Sequence, residues 1–175
     1  MTTFYLIRHG KHDYDAVKDK NFIGHGLELA PLTEEGVQQA IECCNDERLK
    51  DCDMIISSPY TRTMQTSAIL SKNLNIDFRV EVDLREHELD LTYRVKSFDE
   101  LKQIAIEEQK YNGLENPSGT YNWETRASVR ERVMDVLKRY INYKKVIVVT
   151  HGMVIHCMTE KVGIQNCSIH EIRID

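Results

Sequence analysis

What this chain lacks narrows its identity before any motif is read. No apolar run approaches the roughly 20 residues that a membrane-spanning helix needs, and the short stretch ahead of Arg8 holds no secretory h-region. No membrane partner and a cytoplasmic location are therefore expected. Basic runs are missing as well: 23 Lys and Arg stand against 28 Asp and Glu, for a net charge of −5, so the electrostatic footprint of a nucleic-acid binder is absent. Cys-x-x-Cys spacing does not occur, and the 5 cysteines form an odd count that fits reduced thiols. Internal repeats and low-complexity tracts are absent too. Cys167 and Arg173 have the Cys-x5-Arg spacing of a thiolate phosphatase, but the residues between them contain no glycine, alternate like a strand and leave no room for a following helix.

What is present is an ordinary globular composition, 41% hydrophobic and 29% charged over 175 residues, which suits one domain spanning 1–175. Strand-like runs recur at Thr3–Ile7, Asp53–Ser57, Phe78–Val82, Lys145–Thr150 and Ser168–Ile174. Helical patterns lie between most of them. Thr33 reads as an N-cap, after which Val37, Ala40, Ile41 and Cys44 recur at helical spacing. Pro59 is expected to open a second helix through Lys72, and Val129, Val133, Val136, Leu137 and Tyr140 mark one face of another over about 124–141. A helix after Gly152 and one over Phe98–Gln109 complete the set. Alternation at this pitch predicts an α/β fold, three layers α/β/α with a largely parallel sheet. The polar segments Lys11–Pro31 and Asn112–Trp123 read as long loops over the site.

Two of the strand runs end in His-Gly pairs, Arg8-His9-Gly10 and His151-Gly152. Ligands of open α/β sheets bind at the carboxyl ends of the strands, so each strand can deliver an imidazole to one floor. Arg8 adds a fixed cation, and Arg62, in the first turn of the second helix, can join it on an anion such as phosphate. Beyond the third strand, Leu84-Arg85-Glu86-His87-Glu88-Leu89-Asp90 is rich in carboxylates, one of which can protonate a leaving oxygen. Glu86 comes first after the strand and is the preferred donor. Glu88 and Asp90 are expected to point to water.

Taken together, these segments resemble the histidine phosphatase superfamily, which includes the cofactor-dependent phosphoglycerate mutases. Phe4–Gly10 is similar to the family's opening motif, Leu32–Ala40 to its second, Ser58-Pro59 through Arg62 to Gln65-Thr66 to its third, Leu84-Arg85-Glu86 to its acid segment and Val148–Gly152 to its closing motif. The resemblance implies a phosphoglycerate mutase-like fold and a single histidine phosphatase domain. It implies His9 as the nucleophile, Arg8, Arg62 and His151 as holders of the phosphoryl oxygens, and Glu86 as proton donor and then base. The activity implied is that of a histidine acid-type phosphatase, a phosphoric monoester hydrolase that forms phosphohistidine and needs no metal or other cofactor. The partner implied is a small phosphorylated metabolite or a phosphoprotein.

The segment Lys11-His12-Asp13-Tyr14-Asp15 lacks the Thr or Ser common in the family at His12, and no glycine-containing stretch follows Glu86. Lys11, His12 and His25 are accordingly expected to border the mouth and tune substrate choice. Three other classes compete. A cofactor-dependent phosphoglycerate mutase must close its site against water to keep the phosphoenzyme. A non-catalytic phospho-ligand binder would need neither a nucleophile nor an acid. A metal phosphohydrolase would have to draw ligands from His12-Asp13, His25 and His156, whose spacing matches no ligand set.

Overall fold

In a computed structural model, described for all residues except 19, 21–23 and 96 and the side chains of 24 and 25, the chain forms the expected three layers. The elements run β1 (Thr2–Arg8), α1 (Asp15–Lys18), α2 (Glu34–Cys43), β2 (Met54–Ser57), α3 (Thr61–Leu74), β3 (Phe78–Val80), α4 (Phe98–Lys110), α5 (Arg126–Lys138), β4 (Lys145–Thr150), α6 (Gly152–Thr159) and β5 (Ile169–Ile174), with 3-10 turns at Gly24–Leu29, Glu47–Leu49 and Val82–Leu84. The strand order is β3-β2-β4-β1-β5. Only the β1–β5 pair is antiparallel; the other ladders are parallel. No helix among the described residues is long and apolar enough to cross a membrane.

Strand alternation sorts the core into two layers. Phe4, Leu6, Ile56, Val146 and Val148 face Val129, Val133 and Val136 of α5 and Val154 and Ile155 of α6. Tyr5, Ile7, Ile55, Ile147 and Val149 face the other way, onto Cys43 of α2, Leu70 of α3 and Leu49. The three interior strands, β2, β4 and β1, are buried on both faces, as strands of a largely parallel sheet under helices must be.

Three local readings need correction. Pro59 does not open α3: Tyr60 is its N-cap and Thr61 its first residue, which leaves Pro59 in the approach to the helix. In α2, Thr33 caps as expected, its Oγ1 accepting from the Gly36 amide at 3.0 Å. The buried face, however, is Gly36, Ala40 and Cys43, while Val37 and Ile41 stay exposed. The helix is rolled onto its glycine because Gly36 lies against the backbone of Gly10 and Lys11, and a Cβ on either glycine would collide with main-chain atoms of the other segment. The segment Lys11–Pro31 is not wholly loop, since it carries α1 and a 3-10 turn. Cys167 and Arg173 form no anion loop, because Ile169–Ile174 is a strand paired along β1.

Candidate active site

β1 and β4 are parallel neighbours in register, Arg8 opposite Thr150, so His9 and His151 leave the sheet side by side. Their rings stand edge to face with centroids 5.2 Å apart. Arg62 reaches them from the first turn of α3. Its Nε donates to His9 Nε2 at 3.1 Å and its Nη2 approaches His151 Nδ1 at 3.4 Å. Thr66 fixes this meeting, since its hydroxyl donates to the Arg62 carbonyl at 2.8 Å and accepts from the Gly10 amide at 3.1 Å. All three site side chains are almost wholly buried.

The partners settle the tautomers. A carbonyl only accepts and a guanidinium only donates. His9 Nδ1, 2.7 Å from the Gly10 carbonyl, therefore carries the proton, and Nε2 keeps its lone pair toward Arg62. By the same logic His151 turns its Nδ1 lone pair toward Arg62 and donates from Nε2 to Ser58 Oγ at 2.7 Å. Burial, then the Arg62 charge, hold both imidazoles well below their ordinary range, so both are neutral at neutral pH.

Arg8 lies behind this cluster. Its Nη1 donates to the Ile164 carbonyl at 2.5 Å, its Nε is buried with no hydrogen-bond partner, and its charge helps to depress His9, His12 and His151. Glu86 stands on the far side with Arg62, lining a cavity of about 170 Å³ beside the histidines. Its Oε1 accepts from the His87 amide at 2.9 Å. Thr150 donates to the Leu84 carbonyl at 2.8 Å, tying the acid-bearing segment to the strand that delivers His151.

Several participants escape sequence reading. Glu88 does not point to water: its side chain is 16% exposed, and Oε1 accepts the Tyr60 hydroxyl at 2.9 Å. Burial above all, opposed by that bond and aided by Glu28, raises its carboxyl. Arg132 of α5 binds the carbonyls of Asp83, Arg85 and Glu86 and pairs with buried Glu124 at 2.6 Å. Neither residue lies in a motif, and a lone Arg at mid-helix gives no signal that it holds a loop. Of the expected mouth residues, Lys11 is drawn away to Glu35 at 2.5 Å. His12 packs edge-on between His9 and Tyr14, at 5.2 and 4.1 Å, and is depressed to about 4 by burial, Arg62 and Arg8. The His25 side chain lies outside the described residues. His156 sets its Nδ1 at the Lys161 carbonyl, and no three His, Cys, Asp or Glu side chains group as a metal site among the described residues.

Two neutral imidazoles and a buried guanidinium at the carboxyl ends of parallel strands, under an α/β/α layer structure, make an α/β protein with a site suited to an anion such as a phosphoryl group. Comparison with known proteins names the class further. The model of the histidine phosphatase superfamily (branch 1) matches residues 4–175, and the chain belongs to that family. It is 25% identical over 189 residues to a probable phosphoglycerate mutase, GpmB, of Cronobacter sakazakii, with 98% of this chain and 85% of that one covered. It is 28% identical over 170 residues to an uncharacterized phosphatase, PhoE, of Bacillus subtilis, with 93% and 78% covered. Among solved structures, Bacillus stearothermophilus YhfR superposes with a TM-score of 0.74 at 23% identity, covering 100% of this chain and 92% of that one. A mycobacterial glucosyl-3-phosphoglycerate phosphatase does so with a TM-score of 0.71 at 20% identity, covering 98% and 90%.

Proposed function

We propose that the chain is a single-domain, metal-independent phosphatase of acid type that hydrolyses phosphomonoesters of small metabolites through phosphohistidine at His9. The observation that carries this reading is the His9 tautomer: its Nε2 lone pair is turned toward Arg62, which lines the cavity, while Nδ1–H is spent on the Gly10 carbonyl. A neutral imidazole so held is a ready nucleophile. Nε2 attacks phosphorus as the ester oxygen leaves in line, and Glu86 gives that oxygen its proton. Arg62 and Arg8 meet the negative charge on the remaining oxygens, and His151, neutral with its Nδ1 lone pair inward, accepts a hydrogen bond from one that carries a proton. Water, deprotonated by Glu86, then breaks the P–N bond and releases phosphate and free His9. A cytoplasmic location, with no nucleic acid or membrane as partner, fits the acidic chain and the short apolar runs. The solved relative named for glucosyl-3-phosphoglycerate supports a metabolite rather than a phosphoprotein as substrate.

Rapid quenching during turnover of radiolabelled phenyl phosphate tests the reading. Wild-type protein is expected to carry acid-labile, base-stable phosphate on His9, and His9→Ala to lose at least about 10³-fold in rate while keeping its circular dichroism. Near wild-type turnover by His9→Ala would overturn the assignment.

A further inference from the structure

The mechanism above uses only one wall of the cavity beside His9. The opposite walls are apolar and acidic. Tyr14, Tyr60 and Tyr93 give aromatic surface, Leu27, Leu89 and Val95 aliphatic surface, and the carboxylates there are Glu28, Glu86, Glu88 and Asp90. Arg62 is the one arginine or lysine among the described lining residues, and it is committed to the two catalytic-side imidazoles. Arg85 comes to 3.9 Å of Glu88 but binds Asp83 at 2.7 Å, and His87 turns its Nε2 onto the Glu124 carbonyl at 2.6 Å. Asp90 accepts the amides of Thr92, Arg94 and Val95.

We propose that this cavity seats the alcohol half of the ester and that Glu88, fixed by the Tyr60 hydroxyl, selects against a second anionic group. The substrates are then phosphomonoesters of uncharged or cationic alcohols with some apolar body, not phosphorylated hydroxy acids or bisphosphates. The inference rests on the phosphatase reading. Its physical basis is that carboxylates only accept hydrogen bonds. An incoming carboxylate would meet the carboxylates of Glu28, Glu86, Glu88 and Asp90 with Arg62 as the one fixed cation among the described lining residues, and like charges brought together in a partly dry pocket are strongly unfavourable. A hydroxyl or ammonium can instead donate to Glu88, while the tyrosine rings cover carbon or a cation. The same rule sets the chain apart from a phosphoglycerate mutase, whose substrate carries a carboxylate.

A matched pair tests it: glycerol 3-phosphate and 3-phosphoglycerate differ by a hydroxymethyl against a carboxylate. Wild-type kcat/KM is expected to favour glycerol 3-phosphate by at least about tenfold, and Glu88→Gln to bring the ratio within about threefold. Calorimetric binding of the same two compounds to His9→Ala should show the same preference without turnover. Equal wild-type kcat/KM for the pair overturns the proposal whether or not the Glu88 variant folds, and so does a folded Glu88→Gln protein with an unchanged ratio. If no ester is turned over but His9→Ala still prefers glycerol 3-phosphate, the phosphatase reading fails and the charge selection stands.

Discussion

Glu86 and Glu88 face one cavity, yet different groups hold them. Glu88 is tied to Tyr60 at 2.9 Å, whereas Glu86 accepts its neighbour's amide through Oε1, which leaves Oε2 for the ester. A proton donor matters most when the leaving alcohol is a poor one. Glu86→Gln is therefore expected to slow alkyl phosphate hydrolysis about 10²-fold or more and phenyl-type esters with good leaving groups much less. A Brønsted series over leaving-group pKa measures this, and a steep slope in Glu88→Gln with a shallow one in Glu86→Gln would reverse the roles. His9, His151 and Arg62 were legible because each sits at a strand or helix terminus, where sequence marks the end of an element, whereas Glu86 follows the 3-10 turn Val82–Leu84 and was singled out by its place in the acidic segment. Glu88 was not, because in an acidic turn nothing local separates a buried carboxylate from a solvated one; only the distant Tyr60 does.

Among the elements, α5 does more than cover the sheet. Its Arg132 gathers three carbonyls of the segment 83–86 and the carboxylate of Glu124; burial, the largest single influence, pushes that carboxyl up, but the bonds and charge of Arg132, the Glu88 amide and Arg85 together hold it low. Removing the guanidinium leaves a carboxylate that is 4% exposed with Arg85, 3.9 Å away, as its remaining charge partner among the described residues, and breaking such a buried pair typically costs about 3–5 kcal/mol. Arg132→Ala is expected to lower urea stability by that order and to reduce kcat more than KM is raised, since Glu86 loses its support. Lysine restores the charge but not the planar fork, so Arg132→Lys should recover little of kcat. Unchanged kcat in a folded Arg132→Ala protein would refute the support. The strands and most helices were readable from periodicity, and the caps at Thr33, Ser97 and Thr125 lie where side-chain chemistry asks for them. The roll of α2 was not readable, because the packing of Gly36 on Gly10 is a contact between motifs and leaves no trace in the helix's own apolar pattern.

For the molecule as a whole, the buried histidines set the acid limit. The unfolded chain takes up protons as pH falls through about 6.5, whereas His9 and His151 stay neutral well below that and His12 to about 4. The unfolded state then binds more protons, so stability is lost as pH falls below about 6.5 and gains nothing from these groups above it. His9 and His151 together give a slope of up to about 3 kcal/mol per pH unit. Urea midpoints at pH 7 and pH 5 should differ accordingly, in one cooperative transition, and His9→Ala should flatten the dependence; equal midpoints would contradict it. The fold class was legible because strand and helix signals alternate cleanly, but the depth at which the sheet buries these rings depends on how two helical layers close. One consequence concerns what may enter. Both imidazoles turn a lone pair toward Arg62, because the Gly10 carbonyl and the Ser58 hydroxyl take the two ring protons on the other side. A phosphoryl group whose second ionisation lies near pH 6 finds no donor on His151 in this tautomer, whereas the hydrogen phosphate monoanion can donate its own hydroxyl to the Nδ1 lone pair, so the resting site favours the protonated form of its ligand and admission to it is a proton-counting step.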